Sequence, residues 1–141
     1  KVPISGQIKA VFKYISNPPE REIAFNNVKS QKNVVTHYGF HGSPLENWHP
    51  IVRTSLKNYS GSTNQLHGAA YGSGIYLAPD FNTSITYAKG GPDWGESKIK
   101  NIKCMAFCEI LDDGSKGFKD AKPYYVISDE NLIRTKYLIV F

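Results

Sequence analysis

Cysteine is scarce in this chain, with Cys104 and Cys108 the two examples among 141 residues. They fall in a strand-like run, where residues four apart lie roughly 13 Å from each other. That span forbids a disulfide and excludes a shared metal. Both are therefore read as reduced, buried thiols of an intracellular protein, cytoplasmic or nuclear. Long apolar runs are missing too: none approaches the roughly 18 residues of a membrane helix, so no membrane span is expected. No charged-then-apolar leader precedes the domain, and Lys1 stands where an initiator methionine would, which reads as a piece of a longer chain. The four histidines lack zinc spacing with either cysteine, and neither a Gly-x-Ser-x-Gly elbow nor a phosphate-loop lysine occurs. No metal is expected, and ordinary hydrolase and kinase chemistries drop out. Repeats, heptads and low-complexity tracts are equally absent.

What is present suits one soluble globule spanning residues 1–141, with 40% apolar and 21% charged residues. Lys and Arg number 17 against 12 acids, a formal charge of +5 that favours anionic partners without selecting among them. The lysines are scattered, from Lys9 and Lys13 to Lys98, Lys100 and Lys103. Nucleic acid is therefore not an expected partner; that reading would need aromatic side chains exposed beside clustered lysines.

Residues 1–33 carry little pattern: Pro3, Pro18 and Pro19 break the stretch, Asn17-Pro18-Pro19 marks a turn, and Ile8, Val11, Phe12 and Ile15 hint at one short helix or strand. Val34 to Gly42 is rich in β-branched and aromatic residues, and alternation puts His37 and His41 on one face with Tyr38 and Phe40 on the other. Ser43 and Glu46 have capping-box spacing, and Leu45, Trp48, Val52 and Leu56 recur at helical intervals, predicting about three helical turns. Pro50 either kinks that helix or makes it start nearer Asn47. Asn58 to Gly72 reads as a long loop and Ile75 to Leu77 as a short strand. Asp80 caps a helix through Ala88, packed on Phe81, Ile85 and Ala88, with Ser84 and Tyr87 placed to face one ligand. Gly90 to Glu96 is a loop containing Trp94. Ile102 to Leu111 alternates as a half-exposed strand, Cys104, Ala106, Cys108 and Ile110 inward, Lys103 and Glu109 outward. Asp112-Asp113-Gly114 starts a turn, Tyr124 to Ile127 and Lys136 to Phe141 are strands, and the last is apolar enough to be central. The fold class is α+β, two packed, mainly antiparallel sheets with a few short helices.

Gly72-Ser73-Gly74 is not a dinucleotide fingerprint, because a strand follows it and no third glycine completes the pattern. Taken singly, His41 reads first as a structural histidine and Tyr76 as core. Their combination is more specific. His41-Gly42-Ser43 opening a helix, Gly74-Ile75-Tyr76, then Ser84 and Tyr87 together resemble the catalytic domain of the poly(ADP-ribose) polymerases. Leu45-Glu46-Asn47-Trp48-His49 and Gln65-Leu66-His67-Gly68-Ala69-Ala70-Tyr71-Gly72 are most similar to its mono-ADP-ribosylating members.

That resemblance implies an ADP-ribosyltransferase fold around a cleft for NAD as co-substrate. His41 matches the position that binds an adenosine-ribose hydroxyl, and Gly42 the glycine whose backbone pairs with the nicotinamide carboxamide. Ser84 matches the hydroxyl donating to that carboxamide, Tyr76 and Tyr87 the aromatics lining the ring, and Ser43 a secondary contact. Alignment of the terminal strands puts Tyr124 at the third family position, with Tyr125 taking its place if the register slips by one. Polymerising members carry glutamate there, and a phenol supplies no negative charge near pH 7. The nearest acids, Asp120 and Glu130, stand four or more residues from Tyr124. The implied activity is transfer of one ADP-ribose to a protein acceptor, the chain itself included. An inactive NAD-binding interaction module is the alternative.

Overall fold

The computed structural model describes residues 8–58, 71–91, 96, 98 and 100–141. In chain order its elements are β1 Ala10–Lys13, α1 Pro19–Lys29, β2 Val35–Ser43, a 3-10 turn Leu45–Asn47, α2 Trp48–Thr54, β3 Ile75–Leu77, α3 Phe81–Ile85, β4 Cys104–Asp112, β5 Phe118–Ala121, β6 Tyr124–Ile127, a second 3-10 turn Glu130–Leu132, and β7 Ile133–Val140. The strands form two antiparallel sheets, β1-β7-β4-β2 and β3-β6-β5. Backbone bonds between Phe40 and Ala78 join them, Phe40 N–H to Ala78 O at 2.8 Å and Ala78 N–H to Phe40 O at 2.9 Å. The α+β class with mainly antiparallel sheets is what the sequence predicted. No helix among the described residues is long and apolar enough to cross a membrane. Most of the Asn58 to Gly72 and Gly90 to Glu96 loops, including Gln65 to Ala70 and Trp94, lies outside the described residues.

Several elements depart from the sequence reading. The prolines before α1 do not break structure: Pro19 occupies the first helical turn, where its missing N–H costs nothing. Of helix and strand for the Val11 region, strand wins, as an edge of the larger sheet. Ser43 does not cap a helix. Its Oγ accepts from Asn47 Nδ2 at 2.9 Å, and α2 starts after Asn47, so Pro50 sits in the first turn and breaks no intrahelical bond. Asp80 does cap α3, accepting from the Thr83 N–H at 2.9 Å, but the regular helix stops at Ile85 and Tyr87 and Ala88 follow in tighter i to i+3 bonds. β5 was not anticipated, because Gly117-Phe118-Lys119-Asp120 has too few β-branched residues to signal a strand.

The largest correction concerns β4, which is buried on both faces. Cys104, Ala106, Cys108 and Ile110 join the main core with Trp48, Leu77 and Ile127. Met105 packs with Ile139 and Phe141 on the other side. Glu109, expected to face solvent, is 1% exposed. Its carboxylate receives Lys29 from α1 and Arg134 from β7, the latter at 2.6 Å, and Arg134 also reaches Glu22 at 3.1 Å and lies over the Phe25 ring at 4.5 Å. Alternation was right about the face and wrong about its exposure, because α1 covers it. Both cysteines are free and buried, and burial pushes Cys104 to about 11 and Cys108 to about 12, so neither is a thiolate near neutrality.

Burial pushes the Glu109 carboxyl up, but hydrogen bonds from Lys29 and Arg134 outweigh it and hold it below its ordinary 4.5. The native state thus keeps Glu109 ionised where the unfolded chain already takes up a proton, and stability falls as pH drops below about 4.5. Glu109→Ala, which leaves Lys29, Arg134 and Lys136 facing an empty site, should cost about 3 kcal/mol in urea unfolding at neutral pH and flatten the acid limb of the stability profile.

Candidate active site

The seam between the sheets is where the sequence-predicted residues meet. Phe40 spends both backbone groups on Ala78, toward β3. Along a strand, residues two apart aim their N–H and C=O at the same edge, so Gly42 directs its own toward β3 and α3, away from β4. α3 comes very close here. The Ser84 hydroxyl, buried, donates to Phe40 O at 2.7 Å, and a Cβ on Gly42 would lie 2.2 Å from Ser84 O. A side chain at Gly42 would therefore force α3 off β2, a packing reason for glycine that needs no ligand.

On the opposite face of β2, His41 Nδ1 bonds Tyr76 O at 2.8 Å, and its ring meets Trp48 edge-on at 6.4 Å. A carbonyl only accepts, so Nδ1 carries the proton, and in the uncharged form of the ring Nε2 is an acceptor. Ser43, two residues on, is buried, and besides holding Asn47 it presents its carbonyl to the Trp48 indole at 3.1 Å. These contacts fix where β2 ends and α2 begins. His41 and Tyr76 are thus tied to each other, while Ser43 is occupied with the helix.

Four tyrosines gather beside this seam. The Tyr87 and Tyr124 hydroxyls bond at 2.7 Å, and the Tyr124 ring lies 6.0 Å from Tyr76, 6.2 Å from Tyr87 and 5.7 Å from Tyr71. Tyr76 also donates to Gly72 O at 2.6 Å and accepts from the Tyr71 N–H at 2.9 Å, fastening the chain that enters β3. The hydrogen bond with Tyr87, then burial, then the charges Tyr87 and Tyr71 would carry if ionised push the Tyr124 phenol up to about 12. It is a neutral hydroxyl over the whole physiological range.

The register also distinguishes the two candidate tyrosines. Tyr124 pairs with Ala121 and turns to the cluster, whereas Tyr125 pairs with Asp120 and packs against His37 at 5.3 Å and Phe118 at 5.5 Å. His37, on the face of β2 that also bears His41, stacks on Phe118 at 5.1 Å and belongs to this packing. Two participants were missed. Tyr71 was quoted only as part of a motif, and its ring contacts depend on the fold. Asp120 returns beside Tyr124 because β5 and β6 form a tight hairpin, and the two line one open groove with Asp80, Thr83 and Lys122. The Lys122-Pro123 pair between two aromatic-containing segments was the readable signal. Among the described residues no three His, Cys, Asp or Glu side chains converge as metal ligands.

A family model, the poly(ADP-ribose) polymerase catalytic domain, matches residues 4–111. That stretch contains His41, Gly42, Tyr76, Ser84 and Tyr87 and stops before Tyr124. Among curated relatives, the Homo sapiens protein mono-ADP-ribosyltransferase PARP8 is 30% identical over 173 aligned residues, covering 100% of this chain and 20% of that protein. The Mus musculus protein mono-ADP-ribosyltransferase PARP16 is 28% identical over 141 residues, covering 83% of this chain and 42% of its own length. The chain thus spans less than half of either relative.

Two substitutions test this geometry. Gly42→Ala should lower stability by about 1 to 3 kcal/mol in urea unfolding, since the obstruction is backbone and cannot rotate away. Tyr87→Phe removes the bond that favours the neutral phenol, so the Tyr124 transition should fall back toward 10. At about pH 11 an NMR titration should find Tyr124 largely protonated in the parent and clearly more ionised in Tyr87→Phe.

Proposed function

Because the chain belongs to the poly(ADP-ribose) polymerase catalytic-domain family, we propose that it is an NAD-dependent mono-ADP-ribosyltransferase that moves one ADP-ribose unit to a protein side chain. The reaction breaks the bond between the nicotinamide nitrogen and ribose C1, joins that carbon to an acceptor atom and releases nicotinamide. The observation that carries the reading is the meeting of Gly42, Ser84 and the Tyr76, Tyr87 and Tyr124 rings at one seam.

On this reading each residue has a definite task. Gly42, with its backbone aimed at the α3 edge, pairs with the carboxamide, and the missing Cβ lets α3 bring Ser84 up beside that backbone. Ser84 turns its proton from Phe40 O to the carboxamide oxygen. Tyr76 and Tyr87 cover the ring, with stacking typically worth about 0.5 to 1.5 kcal/mol beyond burial. His41, held by Tyr76 O, uses Nε2 as acceptor for a ribose hydroxyl of the adenosine half. Ser43 supports this by fixing the strand end. Tyr124 supplies a neutral donor where polymerising members have a carboxylate, so that position brings no negative charge to the oxocarbenium-like centre and no carboxylate to activate a second sugar for chain growth. The acceptor is a protein side chain, on this chain or another, and the buried free thiols favour an intracellular setting.

The same phenol favours a second reading, a module that binds NAD without transferring it. Labelled NAD separates the two. The transferase reading expects single-unit protein labelling, reduced about tenfold or more in Tyr76→Ala through lost stacking, and longer products in Tyr124→Glu. NAD binding by calorimetry with no labelling would establish the module instead; neither labelling nor binding would refute both.

A further inference from the structure

The face of the larger sheet opposite His41 carries a row of aromatic rings that starts at Phe40 and runs away from the tyrosine cluster. One rung crosses all four strands: Lys13 on β1 lies opposite Tyr137 on β7, Tyr137 opposite Phe107 on β4, and Phe107 opposite Phe40 on β2. Tyr38 lies parallel to Phe107, within 2° at 5.6 Å, and Phe107 lies 6.3 Å from Tyr137. α3 covers one end of the row through Phe81 on Phe40 at 5.5 Å, and α1 covers the other through the Glu109 ion pairs. Between them Tyr38 is 49% and Tyr137 37% exposed.

Charge indicates what such a row accommodates. The ion-pair cluster at the α1 end brings three cations, Lys29, Arg134 and Lys136, to two acids, Glu22 and Glu109. Lys13 adds a further positive charge directly beside Tyr137. The rings accept flat π-faces and the cations accept phosphates, and a chain that offers both at once is an unpaired nucleic-acid strand. A duplex hides its base faces and could use the cations alone. The lysines look scattered in sequence because the sheet, not a run of residues, collects them.

We propose that this sheet face binds single-stranded nucleic acid, with bases stacked on Tyr38, Phe107 and Tyr137 and backbone phosphates neutralised by Lys13 and Lys136. The test is fluorescence anisotropy with labelled oligo-dT and oligo-U of about a dozen nucleotides, a length suited to such platforms, beside a duplex of equal length over a salt series. Single strands should bind more tightly than the duplex, with oligo-U against oligo-dT showing which sugar is preferred. Tyr38→Ala and Tyr137→Ala should each weaken binding about tenfold. Lys13→Glu should weaken it and lower the salt slope by about one or more, while Lys116→Glu, in the turn before β5, should change it little. Unfolding curves of these surface variants show that the fold is kept. Absence of binding, equal affinity for duplex, or indifference to the tyrosines would overturn the proposal. So would a dimer in sedimentation that Tyr137→Ala dissociates, which would make the face a self-interface.

Discussion

The approach of α3 to the end of β2 is the constraint on which the rest of this structure depends. Ser84 donates to Phe40 O at 2.7 Å, and the space a side chain at Gly42 would need is taken by Ser84 O. Phe40 meanwhile joins the two sheets through Ala78. A single dipeptide step on β2 therefore fixes the seam, the position of the helix that carries Tyr87, and the direction of the Gly42 backbone. Because Tyr87 then holds Tyr124 from the other sheet, the tyrosine cluster follows from the same contact.

Glu109 plays the matching part away from the seam. It is a buried carboxylate on the central strand pair, and its ionisation is sustained by cations from α1 and β7. Ion pairs of this kind position elements more than they stabilise them, since desolvation offsets much of the Coulombic gain. Here the effect is to seat α1 at one end of the sheet face, leaving the rings of Tyr38 and Tyr137 exposed between α1 and α3 with Phe107 half-buried between them.

The readability of the sequence follows from the range of the interactions involved. β2, β3 and the Asp80 cap are written in local pattern, and the structure has them within a residue or two. The family was legible because His41, Gly42, Tyr76, Ser84 and Tyr87 stand at distinctive spacings. What the sequence could not convey was set by distant partners. Glu109 reads as exposed until Lys29 and Arg134 are known to cover it. Asp120 reads as remote from Tyr124 until the β5–β6 hairpin brings it back. The Ser43 capping box is a sound local signal that lost to the Asn47 and Trp48 bonds, and the charged, proline-led α1 has no apolar stripe clear enough to announce a helix.

On the proposed function the Gly42 backbone, aimed at the α3 edge, receives the nicotinamide end of NAD. Titrating the isotope-labelled chain with nicotinamide alone, followed by amide NMR, tests it most directly. Saturable shifts are expected, centred on the Gly42 amide and the Ser84 to Tyr87 amides, with Tyr38 and Tyr137, farther along the same sheet face, unmoved. Saturable shifts elsewhere with Gly42 unmoved, or no shifts for nicotinamide and NAD alike, would contradict it.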